Sequence, residues 1–387
     1  MFLRVLLGLA LVLAVSTAPV FHEAPGGGIN GQYIVVLKDG IDLQRVVDEF
    51  EVDVAAQNVK ASILLRFQTL LTGFVAKFDD ESVGLRLLMS LPGVEFVEQD
   101  KIIHSYEVVG SWGIDRIDQR NLPMDNDMTI DQGFIMVRLA GYGADVNVYV
   151  IDTGVNPNHV DFGGRAAPVK DFVDVNGTGI DCNGHGTHCA GTVGSNTYGI
   201  ARQANLYGIR ILSCSGSGAV SSSVAALDWI GAEGKRPAVA SMSYGGFYSP
   251  SEMRAAERAK ELGVVLVAAA GNSNDDACRS SPAGSPDVIT VGSTDSEDRR
   301  SSFSCWGPCV QLFAPGSSIT SLAHDSNDGT KTYSGTSMAC PHVAGIAAVL
   351  LGRGYSPQQV YAKIISSATL GKVVNPNGTP NLLAYCS

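Results

Sequence analysis

An α/β domain built on a parallel sheet with helices on both faces, preceded by a small α+β module, is the architecture the sequence predicts. Three observations predict it. From about residue 146 onward, short apolar runs of strand length alternate with helical stretches, and such alternation gives parallel strands joined by crossover helices. Residues 32–100 instead run strand, helix, strand, helix, strand, which fits a compact α+β unit. The cysteines divide the chain the same way, all eight lying from Cys182 onward.

The chain opens with MFLRVLLGLALVLAVSTAP, which has one positive charge at Arg4, an apolar run over 5–15 and small residues before Pro19. This pattern predicts a secretory signal peptide over 1–18. The module then spans 19–104 with its core at 32–100, read as strand YIVVLKDG, helix 41–50, strand FVAKF, helix 81–91 and strand VEFVEQD. A break falls between Lys101 and Ser111, and the second domain covers 105–387. Its candidate strands are 146–151, 206–212, 264–268 and 288–291, and its candidate helices 222–234, 251–263, 341–352 and 356–367. In such a sheet ligands bind beyond the carboxyl ends of the strands.

Composition narrows the function classes. A 45% hydrophobic and 17% charged chain of 387 residues holds enough apolar mass for two cores and is not disordered. Residues 105–387 carry 19 Lys+Arg against 25 Asp+Glu, a net of −6, which argues against nucleic acid as a partner. No later stretch reaches about 18 unbroken apolar residues, so a soluble, monomeric exported protein with no membrane partner is expected. In an oxidising compartment its cysteines are expected to form disulfides. Asn176-Gly-Thr and Asn377-Gly-Thr are glycosylation acceptors if the source is eukaryotic.

The chemistry-bearing residues lie in three glycine-rich settings. Strand VNVYVI ends in Asp152-Thr-Gly, at a sheet edge where reactive groups collect, although Asp-Thr-Gly alone is as readily a turn or a helix cap. Thirty-three residues on, Asn183-Gly-His185-Gly-Thr-His188-Cys leaves His185 flanked by glycines. The two histidines lack the HExxH frame of a zinc site, and His188 reads as a packed helix residue. Ser334-Gly-Thr-Ser337-Met-Ala-Cys-Pro puts Ser337 on a small-residue turn before an apolar helix. A capping serine is the plain reading there, but a helix N-terminus also offers N–H donors to an oxyanion.

Together Asp152, His185 and Ser337 follow the chain order of subtilisin. VIDTG, GHGTHCAGT and GTSMACPHVAG resemble the three catalytic signatures of the subtilase family. WGIDRID, RILSCSGSGAV and SPAGSPDVITVG are similar to the proteinase K-like and aqualysin-like branch, from Trp112 to the end. The resemblance implies a subtilisin-like parallel sheet and a serine endopeptidase using Asp152, His185 and Ser337 without a catalytic cofactor. It also implies that the leading module is an inhibitory, ferredoxin-like propeptide, a partner in cis that is freed by self-cleavage near His104–Ser105.

The same resemblance gives Asn272, in AAAGNS, the role of side-chain donor to the oxyanion; a turn asparagine is the plain alternative. Gly216, Ser217 and Gly218, together with Ser243, Tyr244 and Gly245, are strand-edge stretches with little side chain that would pair with an extended protein or peptide substrate. Ala269, Ala270 and Gly271 would line the main specificity pocket, which implies broad preference for apolar and aromatic residues. Acidic pocket residues of the kind a basic-pair processing enzyme wants are not evident. The resemblance also implies disulfides Cys182–Cys214 and Cys278–Cys309 and a free thiol at Cys189, against which a Cys189–Cys340 bridge competes; Cys305, Cys340 and Cys386 have no assignment. Calcium would be held by the carbonyls of Pro286 and Val288, but Gln311 stands where the family has an aspartate, and a neutral amide brings no charge to a hard cation. The competing function class is a secreted binding protein that keeps its propeptide after one self-cleavage.

Overall fold

The computed structural model describes residues 18–22, 28–68, 72–101, 111–126, 128, 142–174 and 176–386. The signal-peptide reading and the expected propeptide cut lie outside these residues. The chain divides into two compact units, Met1–Ser105 and Tyr106–Ser387.

The first unit contains strands β1 (Val20–His22) and β2 (Gly28–Leu37), helix α1 (Leu43–Ala56), strands β3 (Ala61–Phe67) and β4 (Gly73–Phe78), helix α2 (Glu81–Ser90) and strand β5 (Val94–Lys101). The sheet order β1-β5-β2-β4-β3, with β2, β3, β4 and β5 pairing antiparallel, is the split βαβ arrangement. Asp42 and Asp80 cap the two helices through their side chains. Strand β3 was not expected from the sequence. It is an edge strand whose Leu64 and Leu65 face solvent, so its apolar residues do not alternate as a half-buried strand requires.

The second unit begins with α3 (Trp112–Ile117), followed by β6 (Asn147–Asp152), β7 (Ala166–Asp171), α4 (His185–Gly194), β8 (Asn205–Arg210), α5 (Val220–Glu233), β9 (Ala238–Met242) and β10 (Gly246–Phe247). It continues through α6 (Pro250–Glu261), β11 (Val264–Ala269), β12 (Ser280–Ser281), β13 (Ile289–Thr294), β14 (Leu312–Pro315), β15 (Ile319–Leu322) and β16 (Thr330–Tyr333). Helices α7 (Thr336–Gly352) and α8 (Pro357–Ser367) and strands β17 (Thr369–Leu370) and β18 (Leu382–Leu383) complete it.

Nine strands form the main sheet among the described residues, in the order β17-β18-β14-β13-β11-β9-β6-β8-β7, all parallel except β17. Strand β6 is buried throughout, and its side chains split between two cores. Val148 and Val150 pack with residues of α4 and α7, whereas Tyr149 and Ile151 pack with residues of α5 and α6. This period of two explains why the central strands read as unbroken apolar runs.

Arg116 of α3 is fully buried, and its guanidinium grips Asp298 with two bonds of 2.7 and 2.8 Å while Nη1 donates to the Gln119 carbonyl. Bidentate geometry satisfies the carboxylate and most of the guanidinium away from water. Removing one partner strands a buried charge, so Asp298→Ala is expected to cost about 3–5 kcal/mol, most of it recovered when Arg116→Met is added. Denaturant unfolding followed by circular dichroism checks this; a loss under about 1 kcal/mol in Asp298→Ala would show that the pair is replaceable.

Candidate active site

Asp152 is the last residue of β6, fully buried between β8 and β9, and its Oδ1 accepts the Thr153 N–H at 2.7 Å. His185 is the first residue of α4. Its Nδ1 lies 2.8 and 3.0 Å from the two Asp152 oxygens. A carboxylate only accepts, so Nδ1 carries a proton, and it is the neutral ring whose Nε2 presents a lone pair. Gly184, which precedes His185, adopts φ 109°, and a Cβ there would sit 2.6 Å from the His324 ring nitrogen. Burial alone would push the His185 imidazole down, but the Asp152 carboxylate holds it well above the ordinary histidine value.

One buried side chain joins these two elements. The Asp181 carboxylate accepts from Thr153 Oγ1 and from the amides of Asn183 and Gly184, each at 2.9 Å, and from the Thr187 amide and hydroxyl at 2.8 and 2.6 Å. Thr153 Oγ1 in turn accepts the Gly186 N–H at 2.9 Å. Asp181 thus takes the Thr187 N–H of the first turn of α4 and the two amides just before it, and ties them to the residue after Asp152. Nothing in the sequence marks it, because an aspartate four residues before a helix lies outside the N-cap position and reads as an ordinary turn residue.

Ser337 is the second residue of α7. The sequence reading began this helix at 341, where a proline suits the first turn; the structure begins it at Thr336. The reason is a cap from far away in sequence. Asn272 Oδ1 accepts both the N–H and the hydroxyl of Thr336 at 2.9 Å, because Gly335 has no side chain to do so. Those two donors fix the carboxamide: its oxygen faces Thr336, and its NH₂ lies 3.3 Å from where a Gly335 Cβ would stand.

Pro341 then lies inside α7 and has no N–H to give the Ser337 carbonyl one turn earlier. That carbonyl accepts instead from Ser243 Oγ at 3.0 Å and from the Cys189 thiol at 3.3 Å. The Ser337 hydroxyl donates to the Ser243 carbonyl at 3.0 Å.

Two cavities share Ser337 and residues 244–246. One, of about 480 Å³, is lined by His185, Gly216, Ser217, Gly218, Ser243, Tyr244 and Gly245. The other, of about 610 Å³, is lined by Ala269, Ala270, Gly271, Asn272, Tyr244 and Gly245. The two stretches expected as strand edges are not strands in the structure. Residues 213–217 close into a turn through Ser213 N–H to Ser217 O and Gly216 N–H to Ser213 O, and residues 243–245 connect β9 to β10. The larger cavity is also not free of charge, since exposed Asp275 and Arg279, paired at 3.7 Å, stand at its rim with Asp276. In the smaller one stands Glu252, an acidic residue that its place near a helix start does not mark as part of a cleft.

The structure joins Cys182 to Cys214 and Cys278 to Cys309. Cys189, Cys305, Cys340 and Cys386 are buried free thiols. Cys189 Sγ lies 3.9 Å from His185 Nδ1. Cys340, three residues after Ser337, bonds to the Val267 carbonyl rather than to Cys189, and burial pushes its thiol up to about 12. Cys305 lines the larger cavity beside Gly271. His188 is buried against Tyr333 and holds the Ile319 and Lys331 carbonyls, joining α4 to the β15–β16 hairpin. At the expected calcium position the Gln311 oxygen is taken by the Thr290 N–H, and Asp287, between Pro286 and Val288, is paired with Lys260. The Gln311 amide is thus spent on the backbone and brings no charge, and Asp287 has one oxygen committed to Lys260, so these residues make a poor fit for a calcium ion.

A family model described as the subtilase family matches residues 143–384, and one described as peptidase inhibitor I9 matches residues 32–105. Alkaline serine exoprotease A of Vibrio alginolyticus is 46% identical over 373 residues, which span 92% of this chain and 67% of that protein. The extracellular serine proteinase of Thermus sp. (strain Rt41A) is 39% identical over 414 residues, 99% of this chain and 98% of the relative. Proteinase R of Parengyodontium album is 39% identical over 372 residues, 94% and 90% of the two chains. A crystal structure of a cold adapted subtilisin-like serine proteinase superposes with a TM-score of 0.67 at 50% identity, covering 71% of this chain and 98% of its own. No described helix is long and apolar enough to cross a membrane. With the fold, the position of Ser337 and these matches in agreement, the chain belongs to the subtilase family of serine proteases and carries an I9-type propeptide.

Proposed function

We propose that the protein is a secreted, broad-specificity serine endopeptidase, with residues 1–18 as its leader, 19–104 as a self-cleaved inhibitory propeptide and 105–387 as the active domain. The observation that carries this reading is the Asp152–His185 pair opening onto the same cavity as Ser337. His185 Nε2 takes the hydroxyl proton as Ser337 Oγ attacks the peptide carbonyl, and Asp152 fixes the tautomer and stabilises the imidazolium. His185 then protonates the departing amine, and water repeats the cycle to release the acyl half. The developing oxyanion is held by the Asn272 amide, oriented by Thr336, and by the Ser337 N–H at the start of α7. Buried Ala269 and Ala270 give the larger cavity an apolar wall suited to aliphatic and aromatic side chains.

The name of the Thermus relative and the leader-like first 18 residues support secretion.

Ser337→Ala is expected to accumulate as unprocessed precursor without casein hydrolysis, while the wild type is processed and active. A processed, active alanine variant would sink the assignment; a wild type that is processed yet inert toward casein would favour the propeptide-retaining binding protein. Asn272→Ala is expected to lower kcat by about 10²–10³ with KM little changed, the magnitude known for the corresponding subtilisin asparagine. Single-turnover kinetics on a chromogenic peptide decide the matter, and an unchanged kcat removes Asn272 from the oxyanion site. A mercurial bound to Cys189, 3.9 Å from His185, is expected to displace the ring and inhibit the enzyme. Inhibition that persists in Cys189→Ser would place the reactive thiol elsewhere.

A further inference from the structure

Among the side chains lining the smaller cavity, Ser223, Tyr244 and Glu252 form a linked polar group that the mechanism above does not use. Ser223 and Glu252 are each only 2% exposed. The Ser223 hydroxyl donates to Glu252 Oε1, and the Tyr244 hydroxyl lies 2.6 Å from Ser223 Oγ. A serine hydroxyl has a single proton. With that proton committed to Glu252, Tyr244 must be the donor to Ser223. Both hydroxyl protons therefore run toward the carboxylate, and the group as a whole offers acceptors.

A purely structural duty for Glu252 would be to start α6. Ser249-Pro-Ser-Glu252 is a capping-box sequence, in which the glutamate turns back to the N-cap N–H. Only half of that box forms. Ser249 Oγ accepts the Glu252 N–H at 3.3 Å, but the Ser249 N–H is already given to Ser281 Oγ at 2.8 Å. In α8 of the same domain the equivalent Ser356 and Gln359 form the complete box. Glu252 is thus released from the helix start and turned to the cavity. None of the ion pairs among the described residues involves it.

We propose that Glu252 makes this cavity select a substrate side chain ending in a cation, lysine or arginine, with Ile211 and Leu212 receiving its methylene stem. The proposal rests on the endopeptidase reading. Burial pushes the Glu252 carboxyl above the usual carboxylate range, and the Ser223 and Tyr244 hydroxyls offset part of that shift. An arriving ammonium or guanidinium supplies the missing counter-charge in a site shielded from water. The chain thereby combines a cavity with an apolar wall of Ala269 and Ala270 and one that holds a buried acid, both lined by Ser337.

Peptides carrying lysine, norleucine or glycine at each position on the acyl side of the scissile bond test this. At one position the wild type is expected to show a kcat/KM for lysine about tenfold or more above norleucine, and Glu252→Gln is expected to bring that ratio to about one. Should Glu252→Gln fail to fold, peptides with Nε-acetyl-lysine put the question to the wild type, which must then lose the preference. Equal cleavage of lysine and norleucine peptides at every position, or a preference that survives in Glu252→Gln or with acetyl-lysine, overturns the proposal. The glycine peptides separate the two readings: a wild type that cuts none of the peptides fails as an endopeptidase and takes this pocket with it, whereas one that cuts the glycine peptides and ignores lysine fails only here.

Discussion

A single buried carboxylate holds the site together. The paired groups stand on separate elements, Asp152 at the end of a strand and His185 at the start of a helix 33 residues later. Hydrogen bonds of 2.8–3.0 Å between them leave little room for relative motion. Asp181 supplies the constraint, with five donors drawn from residues on both sides of the pair. A charged acceptor saturated by donors in a dry setting is strong only when every donor is in place, so strand end, turn and helix start form one unit.

A second constraint acts on Ser337. Pro341 withholds one helical hydrogen bond, and Ser243 and Cys189 fill the gap. The backbone beside the nucleophile is thereby fastened to residue 243 after β9 and to α4, the helix that begins with His185. Thr336 is fastened to Asn272 in the same way. The positions of Asp152, His185, Ser337 and Asn272 thus depend on one another through the main chain as well as through side-chain contacts.

Much of this was legible in the residues themselves. The apolar runs around Val148 and Val264 marked central strands because both faces of those strands are buried. The glycine-rich settings of Asp152, His185 and Ser337 marked the places where backbone and substrate must come close. What stayed hidden was set by partners distant in sequence. The start of α7 depends on Asn272, 64 residues earlier, and propensity alone pointed to Pro341. The turn at 213–217 is polar and lacks strand periodicity, so its likeness to a substrate strand did not show how it folds on its own. Glu252 reads as an ordinary helix-capping residue until Ser281, 32 residues from Ser249, is seen to occupy the N–H it would have used.

Helix α7 carries Ser337 and is buried at 15 of its 17 positions, packed against the strands at the centre of the sheet. A helix so enclosed has no local route to opening, since freeing it means separating the sheet from one of its two cores. For an enzyme surrounded by copies of itself this sets how activity ends. Clipping at the surface does not reach the nucleophile, and the working lifetime follows the rate at which the whole domain unfolds rather than the softness of any one loop.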